Sequence, residues 1–227
     1  MNLRHARARP AQHGDAARPA VSELIIRFAP RREREAPLLV LFHEDGTDEA
    51  VTLPLGRRLW PGAPLAAVRG GYPDGRGWRH LSEPADEVAD LFLETAAGAR
   101  IAASVRRAAA REPSLIETVG IGTGGGADAV LALLCLYPRL LTAAVLLEPR
   151  RRWAGGWEES IVATRGVEVL VAHDETGSLS AMMDGLMLSR CGHRAVRWIG
   201  PAKEQTNLAA RWLRSELRGE TEGEDAP

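Results

Sequence analysis

Five residues, Gly122-Thr123-Gly124-Gly125-Gly126, join an apolar strand-like run (116–121) to an apolar helix-like run (127–137) with no loop between them. A strand that passes straight into a helix needs a turn few side chains tolerate, and glycine adopts such backbone freely. The same glycines let the helix cross closely over its own strand. A unit of this kind implies a mostly parallel sheet covered by helices on both faces. The rest of the chain agrees. Short apolar runs at 23–28, 37–42, 65–68, 117–121, 142–147, 168–172 and 194–199 read as strands. Helical patterns at 48–58, 85–111, 125–136, 179–189 and 204–218 alternate with them. The helix at 125–136 is apolar almost all round, which suits the centre of a domain.

The chain has 227 residues, enough for one α/β domain. A net charge of -1 gives no general attraction to nucleic acid or anionic membrane. Two cysteines, Cys135 and Cys191, make neither a disulfide framework nor a four-ligand zinc site, so a reducing cytoplasm is expected. No apolar run reaches the roughly 18–20 residues needed to cross a bilayer. Residues 1–20 read as a disordered, basic N-terminal arm, 21–217 as the folded domain and 218–227 as a disordered acidic tail.

In parallel sheets of this kind ligands sit beyond the carboxyl ends of the strands. Three segments there carry a resemblance. Leu38-Leu39-Val40-Leu41-Phe42-His43-Glu44-Asp45-Gly46-Thr47-Asp48-Glu49 resembles the "LLHGxGxDE" of the phospholipase/carboxylesterase (dienelactone-hydrolase-like) branch of the α/β hydrolases. Gly122-Thr123-Gly124-Gly125-Gly126-Ala127-Asp128, running on to Leu136-Tyr137-Pro138, is similar to its "GYSNGAN…LYP". The run 169–176 stands where that family has a strand leading to its acid loop. The resemblance covers roughly residues 37–215 and implies a three-layer α/β-hydrolase fold.

It also implies a catalytic triad whose positions here hold other residues. The nucleophile serine of the G-x-S-x-G elbow falls on Gly124, the acid on or beside Thr176, and the base nearest to Lys203. Glu44 stands where the family keeps a glycine beside its oxyanion hole, and a carboxylate there opposes a developing negative charge. Acyl transfer by this template needs hydroxyl, imidazole and carboxylate together. The expectation is therefore a chain with no catalytic residue of the serine type, repurposed for a small ligand or for assembly. His43, Glu44, Thr123, Gly125 and His173 are the candidates around the old pocket. Thr123, the one hydroxyl in the turn, is out of register for a nucleophile.

Other readings remain. Gly120-Ile121-Gly122-Thr123-Gly124-Gly125 fits G-x-G-x-x-G, with Glu148 closing the next strand, as in NAD(P)-binding folds. His43 and His173 beside acidic neighbours suggest water activated by histidine or by a metal, although the spacing matches no ligand pattern. Arg150, Arg151 and Arg152, with Trp153 and Trp157, offer a clamp for an anionic ligand. No cofactor, no metal, no nucleic acid and no membrane are expected, and a small molecule or a homodimer is the partner left open.

Overall fold

All seven expected strands join one sheet. The computed structural model describes residues 24–33, 35–82, 88–90, 94–112, 117–150, 152–155, 166–176, 186 and 188–218. The strands are β1 (Ile26–Ala29), β2 (Leu38–Phe42), β3 (Leu65–Val68), β7 (Thr118–Thr123), β8 (Ala143–Leu147), β10 (Glu168–His173) and β11 (Arg194–Ile199), in the order β1-β3-β2-β7-β8-β10-β11. Only the β1–β3 pair is antiparallel. The remaining strands form short two-stranded additions. β4 (Tyr72–Asp74) and β5 (Gly77–Arg79) make a hairpin, and β6 (Val88–Asp90) pairs with β9 (Arg152–Gly155).

Alternation of side chains sorts the core. Leu38, Val40 and Phe42 of β2 face one layer with helices α2 (Thr95–Ala110) and α3 (Gly125–Leu136). Leu39 and Leu41 face the other, with α1 (Leu53–Leu59) and α4 (Ala202–Arg218). Every residue of β2 and β8 is buried, as two-sided cover demands. The result is a three-layer α/β sandwich.

One expected helix is corrected. The run 85–111 is not continuous helix: residues 88–90 form β6, and α2 begins only at Thr95. β6 pairs with β9, more than sixty residues on, and that distant partner overrides a locally helical pattern. Glu94, buried just before α2, accepts hydrogen bonds from the Ser82 N–H (2.8 and 3.1 Å). The basic arm, the acidic tail from 219 and most of the helix expected at 179–189 lie outside the described residues.

Two buried polar groups tie layers together. His193 Nδ1 accepts from the Val167 N–H (3.2 Å) while Nε2–H donates to the Leu134 carbonyl (2.9 Å). Burial lowers its pKa, against the pull of the Leu134 bond, which suits this neutral tautomer. Glu49 opens the 3-10 turn Glu49–Thr52 before α1 and accepts from Arg27 (2.5 Å) and Arg69 (2.6 and 2.8 Å). Burial alone would raise its carboxyl; hydrogen bonds from Arg69, from its own backbone and from Arg27 outweigh this and bring it down to about 2 from 4.5.

A depressed carboxyl stabilises the fold above its unfolded pKa and ceases to as pH falls through the folded value. We expect about 3 kcal/mol from Glu49 at neutral pH, lost progressively between pH 4.5 and about 2. Urea melts of wild type and Glu49→Gln across that range check it. The variant should be weaker at pH 7, and the difference should shrink as the solution is acidified.

Candidate functional site

The strand register aligns the carboxyl ends of the sheet. Phe42 lies beside Gly122, Thr123 beside Leu147, Leu147 beside Ala172 and His173 beside Ile199. The residues that follow these strands therefore share one edge. At its middle, Gly124 adopts φ 54°, ψ -123°, the turn of a nucleophile elbow, which is strained for any residue with a Cβ. Its N–H donates to the Leu147 carbonyl (2.9 Å), and its own carbonyl accepts from Ala127 (2.9 Å) and Asp128 (3.2 Å) to start α3.

Glycine is required at two further positions for space. A Cβ on Gly126 would stand 2.5 Å from the His43 carbonyl oxygen, and one on Gly122 2.5 Å from the Ala127 Cα. These are backbone atoms and cannot swing away. At Gly124, by contrast, the nearest atoms a Cβ would meet belong to the Glu44 side chain, the first being its Cγ at 3.0 Å. A Cβ on Gly125 would overlap the Asp45 carboxylate.

Acidic side chains thus surround the elbow. The Glu44 carboxylate lies over Gly124 and pairs with Arg150 (2.5 Å). Asp128, buried in the first turn of α3, accepts the Arg150 backbone N–H on Oδ1 (3.1 Å) and so fixes the residue that carries this guanidinium. Beside Gly124, Glu148 also has φ 54°, the one non-glycine residue with positive φ among those described. Its N–H donates to Ala172 (2.8 Å), and its carboxylate accepts from Gln205 and stands 4.0 Å from Nδ1 of the buried His173.

A cleft of about 450 Å³ opens above Gly124, between α1 and the first turn of α4. Glu44, Glu148, Arg58 and Arg150 line it together with Thr47, Thr52, Thr123, Thr206 and Gln205; Val51, Leu55 and Leu147 add apolar wall. Acceptors and guanidinium groups stand within one small volume.

Of the sequence candidates, Glu44, Thr123, Gly124 and Arg150 line this cleft, and Gly125 adjoins it as the first residue of α3. His43 is fully buried: Nδ1–H donates to the Glu44 carbonyl (2.9 Å) and Nε2 accepts from the Gly70 N–H (3.0 Å). Burial lowers its pKa, with neighbouring Glu49 and Asp48 opposing. His43 thereby holds the 43–48 loop to the connection between β3 and β4, and the paired backbones of Thr47 and Trp78 hold it to the β4–β5 hairpin. Thr176 is exposed and its hydroxyl donates to Asp174 (2.6 Å), and Lys203 is exposed in α4. Arg151 and Trp157 lie outside the described residues, Arg152 begins β9, and Trp153 packs against the core. No group of three or more His, Cys, Asp or Glu residues able to hold a metal occurs among the described residues. Nor is any of their helices long and apolar enough to cross a membrane.

In the sequence Glu148 stands out as the acid that closes the strand after the dinucleotide-like glycines, and nothing marks Gln205. Gln205 stands in no motif; only the fold of α4 over β10 brings it to Glu148.

No protein-family model and no curated protein sequence matches the chain. Solved structures do match. A carboxylesterase from Mesorhizobium loti superposes with a TM-score of 0.68 at 25% identity, over 81% of this chain and 90% of that one. A Bacillus cereus carboxylesterase gives 0.71 at 19% identity, over 85% and 94%. A phospholipase/carboxylesterase from Dyadobacter fermentans gives 0.62 at 13%, over 87% and 97%.

The backbone accounts of the glycines separate in experiment. Gly126→Ala forces backbone apart and should cost about 3 kcal/mol or more, whereas Gly124→Ala meets a movable side chain and should cost about 1–2 kcal/mol of turn strain. Urea midpoints of the two variants measure the order; equal costs would mean the crossing of β7 and α3 is looser than described. Sheet order, elbow turn and neighbours agree: the chain has the α/β-hydrolase fold of the carboxylesterase and phospholipase/carboxylesterase type.

Proposed function

We propose that this chain binds a small polar ligand in the cleft above Gly124 and does not hydrolyse esters by a serine mechanism. The observation that carries the proposal is the elbow itself: its turn is intact, its apex has no side chain, and Glu44 lies over the apex. Losing one triad member already costs several orders of magnitude in rate. Carboxylates at Gly124 and Gly125 add an electrostatic cost, because the tetrahedral intermediate would place negative charge against them.

The lining supports a ligand of mixed character. Glu148 and Gln205 present acceptors at one side, while Arg150 and Arg58 present guanidinium donors. Threonine hydroxyls fill the gaps, and Leu147, Val51 and Leu55 suit a short apolar portion. A bare pyrophosphate fits poorly, since Asp45 and Glu44 already occupy the start of α3, which weighs against the dinucleotide reading. Water activation by His43 is disfavoured too, because both its ring nitrogens are engaged in holding loops.

The test is incubation with a fluorophosphonate probe and a short-chain p-nitrophenyl ester. The wild type should show neither labelling nor turnover above a heat-inactivated control. Gly124→Ser alone should remain within about tenfold of that background, since the acidic surround and the missing imidazole persist. Robust labelling of the wild type, or strong turnover in the single variant, would overturn the proposal.

A further inference from the structure

The chain has two cysteines, and the fold brings them together. Cys135 lies near the end of α3 and Cys191 in the turn that leads into β11, 56 residues apart. Their sulfur atoms are 3.0 Å apart, and both residues are 1% exposed. We propose that Cys135 and Cys191 are a modification site, forming an intramolecular disulfide by exchange with a low-molecular-weight disulfide such as oxidised glutathione.

The approach of the two sulfurs is set by the backbone around them. The Gly192 N–H donates to Ser189 (3.0 Å) and the His193 N–H to Leu188 (3.0 Å), closing the turn, with Gly192 at φ 84°. His193 then bonds the Leu134 carbonyl, next to Cys135. Two segments distant in the chain are thus clamped one residue from one thiol and two from the other. Neither cysteine lines the cleft above Gly124, so this proposal is independent of the ligand reading.

The chemistry needs one thiolate to start. It attacks one sulfur of glutathione disulfide, releases glutathione as thiolate, and leaves a mixed disulfide on the protein. The second cysteine thiolate then attacks the protein sulfur and releases the second glutathione. Two electrons pass to the glutathione pair, and the two thiol protons are taken up by the released thiolates. The hydrogen bond with Cys191 and burial both raise the Cys135 pKa, so exchange waits on opening of the turn and is slow in the folded state. Once made, the bond links the end of the elbow helix to the segment feeding β11 and restricts the unfolded chain.

The experiment equilibrates the full chain in glutathione buffers from reducing to strongly oxidising, quenches with acid and alkylating agent, and reads intact mass, peptide map and Tm. Expected in the oxidising buffers are a monomer lighter by two hydrogens and one cross-linked Cys135–Cys191 peptide. A Tm higher by several degrees should accompany them. All three should be reversed by dithiothreitol, and Cys135→Ala should lack the mass loss. Denaturant below the unfolding transition should speed the oxidation. A monomer that keeps both thiols at equilibrium, carries glutathione instead, or couples into disulfide dimers overturns the proposal, as does a fall in Tm on oxidation.

Discussion

The close crossing of β7 and α3 is the constraint on which the rest of the molecule depends. β7 is fourth of seven strands, and α3 begins at the residue after its turn. The helix can do so only because Gly122 and Gly126 leave room for backbone against backbone, with Gly126 under the Phe42 and His43 carbonyls. Nearly all of α3 is then buried against β7, β8 and α2. The same crossing raises Gly124 to the middle of the sheet edge, where the loops after β2, β8 and β10 converge. Core and cleft therefore share one geometric cause.

The electrostatics of that edge follow. A helix start attracts negative charge, and this chain supplies its own, with Asp45 against Gly125 and Glu44 over Gly124. Arg150 answers Glu44, although both side chains are substantially exposed, at 58% and 39%, so the pair is adjustable. Near the apex, among the described residues, the acids outnumber the one guanidinium that answers them, and the ligand proposed above would meet that field. The proposed ligand, with donors and acceptors together, could extend the Glu44–Arg150 pair rather than oppose it.

Most of the architecture was legible in the sequence because it rests on local pattern. β2 and β8 are unbroken apolar runs, β7 and β10 are apolar between polar ends, and the glycine cluster marks the crossing. What the sequence concealed is set by contacts between distant residues. β6 is three residues long and exists through β9. Of the cleft, Gly124, Glu44, Thr123 and Arg150 were visible because they sit in or beside motifs. Gln205 was not, since its role comes from meeting Glu148 across 57 residues. In the sequence His43 is a loop histidine at a sheet edge, but the loop folds inward and its ring bridges two backbones.

Two adjacent strand ends share the same positive φ, once on a glycine and once on a glutamate. Thr123 pairs with Leu147, so Gly124 and Glu148 stand side by side, each at φ 54°. At the first, glycine makes the conformation nearly free. At the second a side chain is retained, at a cost on the order of 1 kcal/mol or more. That cost is offset by the backbone bond to Ala172 and by the hold of Gln205 on the carboxylate. If the edge were only a structural floor, glycine or asparagine at 148 would serve it with less strain. A glutamate there, lining the cleft and braced by a helix from another layer, fits the ligand reading proposed above better than a purely structural floor does.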